Sequence, residues 1–482
     1  MVSPYLSITP FIVLGIVYLY KVFTSPLRSL PGPWYSHFTH LWLKKYVVSG
    51  RRLHYIHELH QRHGPIVRVS PNEIDISSPE IHKQVHRIGS GFLKDSWYQG
   101  FRSGDAHDVF SMIDPKEHAE RRKLFAPLWT NSALHEHWED MVIEKAQLAV
   151  SKIKRDALAG EACIYQWWTL MTTDVISQLS FGESTDMLKQ EGKNQYIRDV
   201  EMATKIGGFL AEFQWLRPVF FLMPIPRLQY ALQAEQRVQS YGLSAVRSAR
   251  SGTISKQNVF SRLIAASDSE KADALSEYQI AFEAAGFTVA GSGTTAVTLT
   301  YLVWAVLKDR AIQQRLEEEV AQLQAPLRDA QLEKLPYLNA VIDETLRLYG
   351  AAPGNLPRTA PVGGATLGGY FIPEGTIVSS QAYTLHRNED VYRNTDEFDP
   401  TRFIDGDGLY SPAKLAWAPF GAGTRSCLGI HLARMELRHG TAEFFRACKG
   451  ARIANSMKDS DMDIRNFFLI SPAGDRCMIT LN

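Results

Sequence analysis

The stretch PFGAGTRSCLGIHLARMEL, Pro419 to Leu437, constrains what this chain can fold into more than any other. It sets Cys427 in a loop with glycines at 421, 423 and 429, just ahead of an amphipathic helical pattern. Glycines let a backbone approach a flat object closely, because they lack a Cβ and tolerate positive φ. Arg425, two residues from the thiol, and the free N–H groups at a helix start both favour the thiolate. A single thiolate cannot fill a tetrahedral zinc site, but it can take one axial position of an iron whose other ligands come from a porphyrin. The remaining cysteines, Cys163, Cys448 and Cys477, are too scattered for a disulfide framework, which fits a reducing compartment.

The first 20 residues carry no charged side chain; Tyr5 to Tyr20 reads YLSITPFIVLGIVYLY, and Lys21 and Arg28 follow. A run of this length can cross a bilayer, and the trailing positive charges put the rest of the chain on the cytoplasmic side. A cleaved signal peptide would want a basic residue before the run and small residues at a cut site. The expected organisation is an anchor at 1–24, a proline-rich hinge at 25–34 around SLPGPWY, and one large domain at 35–482. That domain reads as mainly α with small β-sheets. Two short strands are expected in 65–77, turning at Pro71-Asn72, and more in 361–380. Helices are expected at Pro115–Trp129, His135–Ala157, Ser276–Leu307 and Ala311–Leu323, with a last one from Cys427 or Leu428 to Cys448. The proline-broken run QWLRPVFFLMPIP, Gln214 to Pro226, fits either a core loop or a patch dipping into a membrane surface. Lys plus Arg is 52 against 51 Asp plus Glu, which gives no sign of a nucleic-acid partner.

Three further constellations bear on the cysteine loop. In VIDETLRLYG, Glu344 and Arg347 share a helix face among apolar neighbours, so the pair is expected at least partly buried. The helical pattern that runs into AGSGTTAVTLTYLVWAVL carries Gly286 just ahead of that stretch and Gly291 and Gly293 within it, each costing about 1 kcal/mol relative to alanine. Thr294 and Thr295 follow, whose hydroxyls compete for backbone hydrogen bonds. This is either tight helix packing or an opening for a small ligand. In DPKEHAERRKLF, His118 and Arg122 lie four apart on one face, and NLPRTAP adds Arg358.

Phe420, Gly421, Gly423, Arg425, Cys427 and Gly429 reproduce the pattern F-x-x-G-x-R-x-C-x-G, and in this the chain resembles the cytochrome P-450 superfamily. Glu344 and Arg347 resemble that family's E-x-x-R motif, and FDPTRF resembles the segment that supplies a further arginine, here Arg402. The likeness runs from the LPGP elbow at Leu30 to the region of Phe467 and looks closest to fungal microsomal members of secondary metabolism. It implies heme b with Cys427 as iron ligand, cradled by His118, Arg122, Ala290, Gly291, Arg358, Phe420, Arg425 and Gly429. It implies that Thr294 offers its hydroxyl to dioxygen, Ala290 and Gly291 leaving room for it. Glu344, Arg347 and Arg402 become a buried ion network serving folding and heme retention. Pocket residues carried over by analogy are Trp97, Tyr98, Phe101, Phe110, Phe282, Ala285, Asn355, Leu356, Phe467 and Phe468. The family's helix motif usually has an acidic residue where this chain has Gly293, which leaves the proton route to Thr294, water, a substrate hydroxyl or a carboxylate such as Glu283. The implied co-substrates are dioxygen and electrons from NADPH, through NADPH-cytochrome P-450 reductase or a cytochrome b-type donor. The implied setting is the endoplasmic reticulum membrane, with a lipophilic terpenoid, polyketide or indole-type substrate. An isomerase, dehydratase or peroxygenase, or a non-catalytic heme binder, would carry the same loop.

Overall fold

The computed structural model describes residues 4–101, 107–182, 184–250, 258–260, 275–404 and 415–481; of the predicted anchor, residues 1–3 lie outside that set. The apolar N-terminal run winds into α1 (Pro4–Thr24), and the body includes α2 (Arg52–His63), α3 (Pro115–Phe125), α4 (Glu139–Ala159), α5 (Ile164–Phe181), α6 (Gln195–Glu212), α7 (Glu277–Lys308), α8 (Pro336–Tyr349) and α9 (Ile430–Ala447), with further helices between, among them Ala234–Arg250 and Arg310–Ala321, the latter near the expected Ala311–Leu323. Local signals set these limits. Asp114 caps α3 by accepting from Lys116 and Glu117 N–H, with Pro115 at the first position. Ser276 and Gln279 form a capping box at the start of α7. The expected helix at Pro115–Trp129 tightens after Phe125 into a 3-10 turn, Ala126–Trp129, where Pro127 cannot donate. The one expected from His135 breaks at Trp138, leaving a short helix Asn131–His137 ahead of α4.

Helix α7 runs through the middle of the body, against α5, α8 and α9. Most of its side chains are buried, and Val297, Leu299, Tyr301, Leu302 and Val303 sit in the main core with Trp168 and Leu170 of α5, Val341 and Ile342 of α8, and Phe444 of α9. Gly291 belongs to this packing: a Cβ there would lie 2.5 Å from Ile176 Cγ1 of α5. The expectation that Gly291 makes room for a ligand is corrected accordingly; its missing side chain brings two helices together.

Strands β1 (Ile66–Ser70), β2 (Glu73–Ile76), β3 (Leu93–Lys94), β4 (Ala162–Cys163), β5 (Arg358–Thr359), β6 (Ala365–Leu367), β7 (Tyr370–Ile372), β8 (Ile377–Ser379), β9 (Arg452–Ile453), β10 (Ile464–Phe467), β11 (Leu469–Pro472) and β12 (Met478–Thr480) form four small sheets. The largest has the order β1-β2-β8-β5-β3, and its β1–β2 hairpin turns where Pro71-Asn72 predicts. At its far edge β3 pairs antiparallel with β5, setting Lys94 opposite Arg358. Of the two readings of Gln214–Pro226, the core loop fails: Trp215, Val219, Phe221, Leu222 and Ile225 are exposed, Leu222 at 83%.

Candidate functional site

The cysteine loop is closed by Cys427 N–H donating to Phe420 O at 2.8 Å. Gly423 has φ +65°, and a Cβ there would fall 2.0 Å from His86 O, so no other residue fits without moving backbone. Helix α9 starts at Ile430 with Gly429 as its N-cap, so Cys427 precedes the helix rather than opening it. The Cys427 side chain is exposed, yet surrounding protein raises its pKa by desolvation, opposed by the Gly429 N–H and by Arg122. A thiol that is accessible and also desolvated faces an internal slot, not bulk water. The cation beside it is Arg122, whose Nη1 donates to Ser426 O at 2.8 Å. Arg425, expected in that place, points away and donates to Met112 O and Ile113 O at 2.8 and 2.9 Å.

Next to this loop the chain gathers cations of one sign. Lys94, His118 and Arg358 are buried, Arg122 and Arg425 half-buried. None makes an ion pair with a carboxylate among the described residues. They repel one another instead. Burial, with Arg358 and Arg122 adding repulsion, brings Arg425 down to about 10. Burial, Arg425, Lys94 and Arg122 hold His118 at about 3, and burial with Arg358 and Arg425 drives Lys94 well below its ordinary value. Desolvated like charges are costly unless an anion joins them. A flat iron macrocycle bearing carboxylates would supply what this donor set lacks, so the residues present fit a heme. Lys94 has no place in the sequence motifs; a lone lysine in a two-residue strand becomes a partner of Arg358 only through the sheet register. Tyr98, expected in the pocket wall, is buried and its hydroxyl meets Arg358 Nη1 at 3.4 Å, so it belongs with the cations.

On α7, Ala290 is exposed and Gly293 and Thr294 half-buried, an opening midway along a mostly buried helix. Thr294 Oγ1 donates to Ala290 O at 2.8 Å, which leaves its lone pairs as acceptors. A Cβ at Gly293 would meet Leu469 Cδ1 at 3.7 Å, an ordinary contact, so sterics do not forbid a side chain there. Glu283, weighed as a substitute carboxylate, is committed elsewhere: Arg121 Nη1 binds it at 2.7 Å.

Glu344 and Arg347 form a bidentate pair, both bonds 2.7 Å, with both side chains fully buried. Arg402 Nε reaches Glu344 Oε1 at 3.3 Å, and Asp399 N–H donates to the same oxygen at 2.9 Å. Arg347 also donates to His386 O, Thr395 O and Glu397 O. His386, which no local pattern marks, completes the link to the cysteine loop. Its Nδ1 lies 2.8 Å from Arg347 O, and Ala418 N–H donates to its Nε2 at 2.9 Å, which sets the neutral tautomer with the proton on Nδ1. Burial holds His386 at about 3. The folded state therefore binds fewer protons, and this group's stability is full above its unfolded value near 6.5 and lost as pH falls toward 3. Thermal melts should show a midpoint falling on acidification from neutral pH. The acid limb of stability should be shallower in a His386→Gln variant, by up to about 1.4 kcal/mol per pH unit; an unchanged slope would contradict the assignment.

Trp97, Phe101, Phe110 and Phe468 form an edge-to-face group with centroids 4.8 to 5.9 Å apart, which Tyr98 extends. Phe468 takes φ +86° at the β10–β11 turn, which sends its ring inward. Phe467 is a correction: it is 48% exposed and lies over Gly50, 2.9 Å from where a Cβ would be. Leu356 Cδ1 comes within 3.8 Å of the Cβ position of Gly421, beside the cysteine loop, while Asn355 bridges to Gln381. Phe282 is buried next to Tyr278, and Ala285 lies in the main core, so neither joins the aromatic group.

A family model described as Cytochrome P450 matches residues 29–475. The chain is 41% identical to cytochrome P450 monooxygenase stcB of Emericella nidulans, over 95% of this chain and 89% of that protein. It is 38% identical to cytochrome P450 monooxygenase aflV of Aspergillus parasiticus, over 96% and 93%. A methylphloroacetophenone oxidase of Cladonia uncialis is 35% identical over 76% of this chain and 83% of its own length.

Proposed function

The chain belongs to the cytochrome P450 family and is a monooxygenase, an oxidoreductase acting on paired donors; from that premise we propose a membrane-anchored heme-thiolate enzyme that hydroxylates or otherwise oxidises a lipophilic small molecule of fungal secondary metabolism. The observation that carries the reading is the set of buried and half-buried cations that, among the described residues, have no carboxylate ion-pair partner, beside an accessible, desolvated thiol. Heme b, when bound, supplies the iron at which dioxygen is reduced with NADPH-derived electrons. Cys427 would ligate it, with Phe420 and Gly429 shaping the thiol's loop. His118, Arg122, Arg358, Arg425 and Lys94 would hold its carboxylates, the arginines by planar two-point contact. Ala290 leaves the open face of α7 clear, with Gly291 contributing backbone alone.

With no acid at position 293 and Glu283 ion-paired, the proton-bearing group of α7 nearest the opening is the Thr294 hydroxyl. Thr294→Ala should keep heme and ligand binding. With a reductase, hydrogen peroxide released per NADPH should rise severalfold, read by peroxide and NADPH assays on one sample. Unchanged peroxide release would remove Thr294 from proton handling. The missing acid also fits a second reading, a reductase-independent isomerase, dehydratase or peroxygenase, which the Thr294 hydroxyl argues against. NADPH-dependent oxygen uptake with NADPH-cytochrome P450 reductase, or a cytochrome b-type donor, supports the monooxygenase; turnover without any reductase supports the second.

The aromatic group suits a terpenoid, polyketide or indole-type substrate, and the Cladonia uncialis relative is named as an oxidase of methylphloroacetophenone, an aryl ketone. Helix α1 has 21 residues, about 31 Å at 1.5 Å per residue, enough for a bilayer core. Ile12, Leu14, Ile16 and Tyr20 are exposed on it, as are Trp215 and Leu222 on the body. These surfaces support a single-pass anchor in the endoplasmic reticulum with the catalytic domain on the cytoplasmic face.

A further inference from the structure

We propose that Glu283 and Arg121 form a clasp that fixes where Phe110 stands over the pocket, and through it which ligands the pocket admits. Glu283 is 1% exposed on α7, far up the helix from Thr294. Its carboxylate takes Arg121 of α3 at 2.7 Å and accepts the Val109 N–H on both oxygens, at 3.1 and 3.2 Å. Val109 opens a short segment pinned at further points. Phe110 O accepts from Lys94 Nζ, and Met112 O and Ile113 O accept from Arg425 of the cysteine loop. Asp108 closes the turn, its Oδ1 accepting from Ser111 N–H and Oγ at 2.8 and 2.7 Å. Among these pins the clasp alone comes from the helix that crosses the pocket. Between the pins the Phe110 ring sits 5.3 Å from Tyr98, 5.8 Å from Phe101 and 5.6 Å from Phe468.

The chemistry gives the clasp its weight. A half-buried N–H that loses its carboxyl acceptor is left without a protein partner, so the segment shifts until water or another acceptor meets it. Arg425 still holds the Met112 end, so the motion is taken up at Val109 and Phe110. Glu283 and Arg121 are thus positioning residues: they touch neither thiol nor pocket, and they act through Phe110. Sequence spacing gives no sign of this, because the three groups come from separate elements.

The inference rests on the heme reading only where iron ligands serve as probes. Full-length holoenzyme carrying Glu283→Ala, Glu283→Gln or Arg121→Met is titrated with imidazole and with 4-phenylimidazole, followed by the optical shift on nitrogen ligation. Amide hydrogen exchange of the Val109–Ile113 segment is followed in parallel, with and without heme. In Glu283→Ala, exchange at Val109 should quicken about fivefold to tenfold, the effect of losing one hydrogen bond. The Kd for 4-phenylimidazole should shift about fivefold, with that for imidazole within about twofold, because only the larger ligand meets Phe110. Glu283→Gln keeps an acceptor for Val109 and should fall between the parent and Glu283→Ala. Equal shifts for both ligands, or unchanged exchange at Val109, would overturn the clasp. If Glu283→Ala fails to load heme, exchange in Glu283→Gln and Arg121→Met decides, and parent-like protection in both would overturn it. A parent without a thiolate-type spectrum would instead defeat the heme reading and leave the exchange test standing.

Discussion

Replacing Cys427 with serine should leave a folded chain that no longer gives a thiolate-type heme spectrum and no longer turns over. The loop itself does not depend on sulfur: Cys427 N–H still reaches Phe420 O, Gly423 still fits under His86 O, and the Gly429 N–H still points into the turn. The variant loses the ionisable donor. A serine hydroxyl does not ionise at neutral pH, and neither Arg122 nor one backbone N–H can make it do so. Losing an outer-shell partner of a metal ligand already costs roughly 10–100-fold in affinity or activity, so loss of the ligand itself should exceed that range. The measurement is the ferrous carbon-monoxide difference spectrum at equal protein concentration, with circular dichroism confirming the fold. A parent-like band in Cys427→Ser would transfer the iron ligand to another residue.

Arg347→Ala should be the most destabilising single change in this account. It removes both 2.7 Å bonds to Glu344 and strands the carbonyls of His386, Thr395 and Glu397. Glu344 would be left fully buried with only Arg402 at 3.3 Å and the Asp399 N–H. Uncompensated buried charges of this kind cost about 3–5 kcal/mol, a large part of the roughly 5–15 kcal/mol that holds a domain folded. The loss reaches the site because His386 and Ala418 connect α8 to the start of the cysteine loop. Arg347→Lys should recover little, since one ammonium cannot replace the planar fork. Urea titration and heme content after desalting read the effect. A midpoint close to the parent's, with full heme retention, would show that the network is dispensable.

The parts of the site legible in the sequence are those whose geometry is local. Gly423 and Cys427 lie in one loop, Glu344 and Arg347 on one helix face, and Pro71-Asn72 in one turn, so spacing alone predicts their company. What the sequence hides is set by register and by approach between distant segments. Lys94 faces Arg358 only because β3 pairs with β5. Phe468 turns inward at a positive φ while its neighbour Phe467 faces outward, so the two do not line the pocket together. Gly291 looks like a ligand opening until Ile176 of α5 is seen against it. Arg425 sits two residues from the thiol yet reaches away to Met112 and Ile113, and Arg122, remote in sequence, takes its expected place. His386 has no periodic or motif signal, since its two bonds join residues that only the tertiary fold brings together.

The most direct test of the whole account is a single spectrum. The full-length chain, purified with heme supplied, is reduced under carbon monoxide and its Soret band recorded against bound iron. Heme should be present in equimolar ratio to protein, with the band position from which the family takes its name. Protein that binds no heme, or binds it with the band of a nitrogen-ligated iron, would contradict it.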